Sequence, residues 1–169
     1  MKTLLLFALL STATMHAQDE GLWEGYGGEW GHTSRQLLAL AQATPAEKFS
    51  WRPAPRVRSI GEVYMHIAVA NFYLLSVTGP KEPEVAVSME KTVTAKADVI
   101  DWLKRSLDAV AAARAQLKPG DLQRKVSIDG KTVTVDGMYL RIIVHANEHM
   151  GQSIAYARMN GLVPPWSKP

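Results

Sequence analysis

His145 and His149 stand four residues apart in a segment with helical apolar spacing, an arrangement suited to gripping a metal ion. At about 100° per residue the two side chains differ by only about 40° around the helix axis, so both imidazoles can reach one ion. Imidazole suits zinc, nickel, copper or iron. The pair alone reads equally well as two histidines on a half-wet helix face. His66 is the third candidate. It lies midway along a very apolar stretch, where exposure to water is not expected. A lone buried histidine is ordinarily a hydrogen-bonded core residue, but one ion would satisfy all three rings. An open coordination position would remain for water or substrate, as in catalytic sites. His32, near the start of the first helix, is either a fourth participant or a surface residue.

Glu148, immediately before His149, is the candidate proton acceptor. It sits about 100° round the helix from His149, where a simple solvated charge would also sit. His145-Ala-Asn-Glu148-His149 spells H-x-x-E-H, the inverted zinc-protease motif. Such proteases need a third ligand, usually acidic, well downstream. No Asp or Glu follows Glu148, and the chain is short for that fold, so the protease reading is rejected.

The apolar spacing that must position these residues is helical in four places. The first segment spans about 24–43. Thr44-Pro45-Ala46-Glu47 then reads as a short capped turn, in which threonine caps, proline takes the first helical position and the glutamate reaches back. Trp51-Arg52-Pro53-Ala54-Pro55 imposes an extended linker, because proline disfavours helix in the residue before it. The second helix opens with a capping box, Ser59-Ile60-Gly61-Glu62, and runs to Thr78, where Gly79-Pro80 stops it. Ile60, Val63, Ile67, Phe72, Leu74 and Leu75 make it apolar on most sides, as in the buried helix of a bundle. Glu62, His66 and Asn71 make it a poor membrane span.

A third helix is expected over about 88–117, with Val93, Ile100, Leu103, Leu107 and Val110 on one stripe and a stop at Lys118-Pro119-Gly120. Residues 125–128 and 131–135 flank Asp129-Gly130, a good two-residue hairpin turn. Asp136 then caps the fourth helix, which continues to Asn160-Gly161. The expected fold is all-α: a four-helix bundle with a small β-hairpin before the last helix.

The N-terminus has the layout of a secretory signal. Lys2 supplies a positive start, residues 4–10 form an apolar core and a softer stretch leads to His16-Ala17. The apolar run falls short of the about 20 residues that an anchor needs. The cut is expected after Ala17, with a cut after Ala13 as the alternative. Residues 1–17 are therefore read as a signal peptide and 18–169 as a single domain, periplasmic or secreted, with no stable membrane anchor after processing. The chain has no cysteine, which excludes disulfides, thiol nucleophiles and thiolate ligands and argues against a lipid-anchored mature form. The remaining 152 residues are enough to bury roughly two thirds of their surface without staples. The formal charge of +3 becomes +2 once Lys2 is removed. The cations are spread among acids, with no basic run, so a pI near 9.2 is weak evidence for nucleic acid and none is expected as a partner.

Trp51-Arg52-Pro53 is followed by Ser59-x-Gly61-Glu62-x3-His66, then by His145-x3-His149-Met150-Gly151-Gln152 and the 161–165 ending. In these motifs, their order and their spacing the chain resembles the DinB-like metal-binding four-helix bundles, which include YfiT-type proteins. The resemblance covers nearly all of 18–169. It implies that His66, His145 and His149 are the metal ligands, with waters completing the coordination. Gln152 matches the family's glutamine after the second histidine of the pair. One turn beyond His149, it could orient a bound water or a ligand histidine, or simply face solvent. Two departures are the leader and Glu148, which precedes His149 in place of a His-His doublet. Characterised relatives resemble thiol-dependent transferases, in which the metal activates a low-molecular-weight thiol. Export weakens that carry-over, because such thiols are chiefly cytosolic.

The functional expectation is an exported metal-binding protein with a tri-histidine site, a hydrolase or transferase acting on a small molecule. Glu148 and Gln152 are its candidate catalytic residues. The cofactor is expected to be a divalent ion, zinc or nickel first, with iron and manganese as alternatives. The alternative function is a non-catalytic metal- or ligand-binding module. A homodimer is compatible with the sequence.

Overall fold

The apolar segments fold as helices in the computed structural model, which describes residues 24–167. The expected leader at 1–17 lies outside the described residues. Four long helices, α1 (Gly25–Ala43), α2 (Ile60–Thr78), α4 (Lys96–Gln116) and α5 (Val135–Met159), carry the fold, and a single turn, α3 (Met89–Thr92), precedes α4. Short 3-10 turns occupy Ala46–Lys48 and Pro119–Gln123. The hairpin pairs β1 (Lys125–Ile128) with β2 (Lys131–Thr134) in antiparallel register, Val126 opposite Val133. Its turn needs two left-handed residues, and Asp129 (φ 49°) and Gly130 (φ 73°) supply them. The protein is an all-α four-helix bundle with a β-hairpin before the last helix.

Packing runs around a closed ring in the order α1, α4, α2, α5 and back to α1. Leu37 and Leu40 of α1, Ile67 and Leu75 of α2, Leu103 and Leu107 of α4 and Ile142 of α5 are almost wholly buried in its centre. At about 1.5–3 kcal/mol for each fully buried large aliphatic side chain, that core is the main support of the fold. Polar cross-links fix the register. The Trp30 indole N–H donates to Leu107 O (3.1 Å), and the Asn71 amide donates to the Ser106 hydroxyl (3.2 Å). Helix α2 is long and apolar enough to cross a membrane, but most of it is buried inside the bundle.

The second helix starts as its sequence dictates. The Ser59 hydroxyl accepts the Glu62 N–H at 3.3 Å, and the Glu62 carboxylate accepts the Ser59 N–H at 2.9 Å. The linker before it is lashed to the helix, with Gly61 N–H donating to Phe49 O (2.9 Å) and Arg52 gripping both carboxylate oxygens of Glu62 (2.9 and 3.1 Å).

Three local expectations need correction. The expected third helix over 88–117 is broken: α3 stops at Thr92, Val93 is extended (φ −94°, ψ 99°) and α4 starts only after Ala95. Thr92, Val93 and Thr94 are three consecutive β-branched residues, whose restricted χ1 weakens a helix. The Thr44–Glu47 capping box does not form. Thr44 Oγ1 turns back to donate to Leu40 O (2.7 Å), and Lys96 Nζ covers the Gln42 and Thr44 carbonyls (2.8 Å each), so threonine closes α1 instead. The last helix is capped by Thr134, not Asp136: the Thr134 hydroxyl accepts the Gly137 N–H at 3.0 Å. Val135 is the first helical residue, fully buried, and Asp136 lies in the first turn, where a negative charge suits the helix dipole.

Candidate metal centre

His66 lies in the middle of α2, and His145 and His149 lie one turn apart on α5, which packs directly against it. The three ring centroids form a nearly equilateral triangle with sides of 4.9, 4.6 and 4.6 Å. One nitrogen from each ring lies within 4.8 Å of the others, so the triad could hold a metal ion. His66 Nε2 and His145 Nε2 face each other at 3.1 Å. Two ligands at a tetrahedral zinc, each about 2.0–2.1 Å from the ion, are about 3.3–3.4 Å apart, so this pair needs to open by only tenths of an ångström. His145 is buried; the other two are half-buried and face the solvent side.

The outer nitrogens are held as a ligand set requires. His66 Nδ1 is 2.7 Å from Glu90 Oε1, and Arg58 Nε donates to Glu90 Oε2 at 2.6 Å. A carboxylate only accepts, so His66 Nδ1 carries the proton and its Nε2 lone pair points into the triad. Burial pushes the Glu90 carboxyl upward, but the hydrogen bonds and charges of Arg58 and His66 outweigh it, and the net shift is downward. His149 Nδ1 contacts Gln152 Oε1 at 2.8 Å, and Gln152 Nε2 donates to Tyr156 OH at 2.8 Å. Tyr156 in turn packs edge-on against Trp51. Ligand histidines are commonly fixed in this way through their second nitrogen. His145 Nδ1 is the exception, buried and without a hydrogen-bond partner among the described residues.

Burial favours the neutral form of the two histidines on α5. Burial, reinforced by His149 and His66, holds His145 down to about 4. Burial also lowers His149, against the opposing hydrogen bond that its ring donates to Gln152 Oε1. Neutral imidazole is the form that binds a cation, and three imidazoles converging from two helices fit a divalent ion.

The other candidates separate. Gln152 joins the site, as the hydrogen-bond partner of His149 rather than as a group poised over an open position. Glu148 lies exposed on α5 and forms a two-pronged pair with Arg141 (2.9 and 3.2 Å), whose hydrogen bond lowers its carboxyl. His32, half-buried on α1, is not part of the converging group. Sequence reading missed Glu90, Arg58 and Tyr156. Glu90 is 24 residues from His66 and sits on a turn expected to be plain helix, so no spacing pointed to it. Tyr156 lies one turn beyond Gln152 and was legible as an i, i+4 neighbour.

Two depressions adjoin the triad. A pocket of about 230 Å³ is lined by His66, Val69, Ala70, Tyr73 and Val87 with Arg58 and Glu90. A groove of about 700 Å³ runs over Arg52, Arg56, Arg58, Lys91, Glu62 and Gln152, sharing Arg58, Val87 and Glu90 with the pocket.

Comparison with known proteins agrees with this architecture. A DinB-like protein from Bacillus cereus ATCC 10987 is 24% identical, covering 85% of this chain and 95% of that one, with a TM-score of 0.74. A DinB-like protein from Bacillus subtilis is 18% identical, covering 82% and 93%, with a TM-score of 0.64. These likenesses show the shared fold. No functionally curated protein matches the chain. The family model described as the DinB superfamily matches residues 29–153, a span that includes all three histidines. The chain belongs to the DinB superfamily.

Proposed function

We propose that the protein binds one divalent ion through His66, His145 and His149 and acts with it as a hydrolase or transferase on a small molecule. The observation that carries this reading is the convergence of three imidazoles, two of them fixed from behind by Glu90 and Gln152. When bound, such an ion supplies Lewis acidity, which polarises a substrate oxygen or activates a nucleophile. Zinc and nickel fit an all-imidazole donor set best, with iron and manganese as alternatives. Glu90 holds the proton on His66 Nδ1, Gln152 holds the one on His149 Nδ1, and the pocket and groove beside them admit the ligand. The leader-like layout of Lys2, residues 4–10 and Ala17 supports export of the mature chain.

One observation favours a second reading, a non-catalytic metal- or ligand-binding module. The carboxylate nearest the triad on α5, Glu148, is held by Arg141 and makes no hydrogen bond to a triad histidine, so no acid-base group stands ready there. Turnover assays with zinc- and nickel-loaded protein on small esters, amides and thiol-acceptor pairs separate the two. An enzyme loses its turnover with chelator and in His149→Ala. Absence of turnover with any pair, alongside full metal occupancy, favours the module.

A further inference from the structure

The groove beside the triad is unusually cationic for so small an area. Arg52, Arg56, Arg58 and Lys91 line it, against two carboxylates, Glu62 and Glu90. Each carboxylate is already engaged by an arginine, Glu62 by Arg52 and Glu90 by Arg58. Arg56 and Lys91 form no ion pair with a described residue. Arg56 also holds a left-handed backbone (φ 66°), in the turn that follows Pro53-Ala54-Pro55. A non-glycine residue in that region is strained, because its Cβ crowds the following carbonyl oxygen. The surrounding structure therefore has to impose this geometry on Arg56, and Arg56 lines the groove there.

The adjoining pocket has the opposite character. Val69, Ala70, Tyr73 and Val87 form most of its wall, with the His66 ring at one side. Val87 and Tyr73 are 71% and 47% exposed and line the same pocket, so together they offer a small apolar surface beside the triad. The pocket and groove share the walls made by Arg58, Val87 and Glu90; the pocket reaches the triad at His66, and the groove reaches Gln152, the hydrogen-bond partner of His149.

We propose that the small molecule handled at this centre is an amphiphilic anion, with a carboxylate or phosphate bound by Arg56 and Lys91 and an apolar part lying against Val69, Tyr73 and Val87. This rests on the triad being the reaction centre. Arg58, already braced by Glu90, forms the wall between the two halves of the ligand. It lines both the cationic groove and the apolar pocket, and a long cationic side chain can serve both with its charged head and its apolar stem. The anionic group then anchors the molecule to one side of the histidines, and the part that reacts lies across them.

The test uses the full chain, zinc-loaded and metal-free, titrated calorimetrically with phenylacetate, phenyl phosphate and the neutral phenylacetamide. Both anions are expected to bind at least about tenfold more tightly than the amide, as charge-assisted contacts predict. The preference should weaken with added salt. The double variant Arg56→Ala/Lys91→Ala should lose it while binding zinc at the wild-type stoichiometry. Equal binding of anions and amide overturns the proposal, and so does a preference that survives in the double variant. If the preference survives there and disappears without zinc, the anion sits on the metal alone, and the metal reading stands without this one. If the wild type takes up no metal yet shows a preference that the double variant loses, the anion site stands and the metal reading fails.

Discussion

Glu90 contacts His66 across 24 residues of sequence, its carboxylate oxygen 2.7 Å from His66 Nδ1, and the break between α3 and α4 makes the contact reachable. An unbroken helix over 88–117 would carry Glu90 along the α4 axis. The extended residues at Val93 and Ala95 instead let one turn fold over α2 and deliver a carboxylate to the histidine.

Replacing that carboxylate tests the role of the turn. Glu90→Gln removes the charge and keeps the shape. It should weaken metal affinity by about 10–100-fold, the usual cost of a lost histidine-orienting partner. Competition with a chelating dye measures it. Unchanged affinity in Glu90→Gln would mean that the contact only braces the α3 turn.

Acid should destabilise the metal-free protein. Burial holds His145 down to about 4 in the folded chain, against about 6.5 when unfolded, and His149 shifts in the same direction. Below 6.5 the unfolded state binds more protons. The stabilisation is therefore complete above about pH 6.5 and is lost as pH falls towards about 4, by on the order of 2 kcal/mol. Urea unfolding at pH 7.5 and 4.5 reads this loss. His145→Gln should show a shallower pH dependence, and an equal slope in both proteins would assign the acid sensitivity elsewhere.

The start of α2 should behave as an ordinary capping box. Ser59→Ala deletes the hydroxyl that accepts the Glu62 N–H, at a cost of about 1 kcal/mol. Because His66 lies two turns further along, metal affinity should hold. Thermal unfolding and dye competition on the same sample check both halves, and a large loss of affinity would show that the cap positions the site.

The fold was legible because the signals that specify it are local. Ser59 with Glu62, Gly79-Pro80, and Asp129-Gly130 act within a few residues, and the structure uses each where the sequence puts it. The triad was legible for a related reason: His145 and His149 share a face by helix geometry alone, and His66 stood out against its apolar helix. The errors came where two local signals competed. Thr134 and Asp136 could both cap α5, and the burial of Val135 together with its N–H bond to Arg124 O (3.0 Å) decides for threonine. Glu90 and Arg58 were invisible because only tertiary packing brings them to His66, and Glu148 looked free until Arg141, seven residues earlier, was seen to hold it.

Metal analysis of the purified full chain, wild type beside His149→Ala, tests the central claim most directly. The wild type should carry close to one divalent ion per chain, and the variant almost none, while far-UV circular dichroism shows both folded on their common apolar core. At a free metal concentration of 100 times the dissociation constant, linkage adds about 2.7 kcal/mol to the wild type alone, so chelator should lower its melting temperature to that of the variant. Full metal occupancy in His149→Ala, or a wild type that takes up no divalent ion, would contradict the tri-histidine centre.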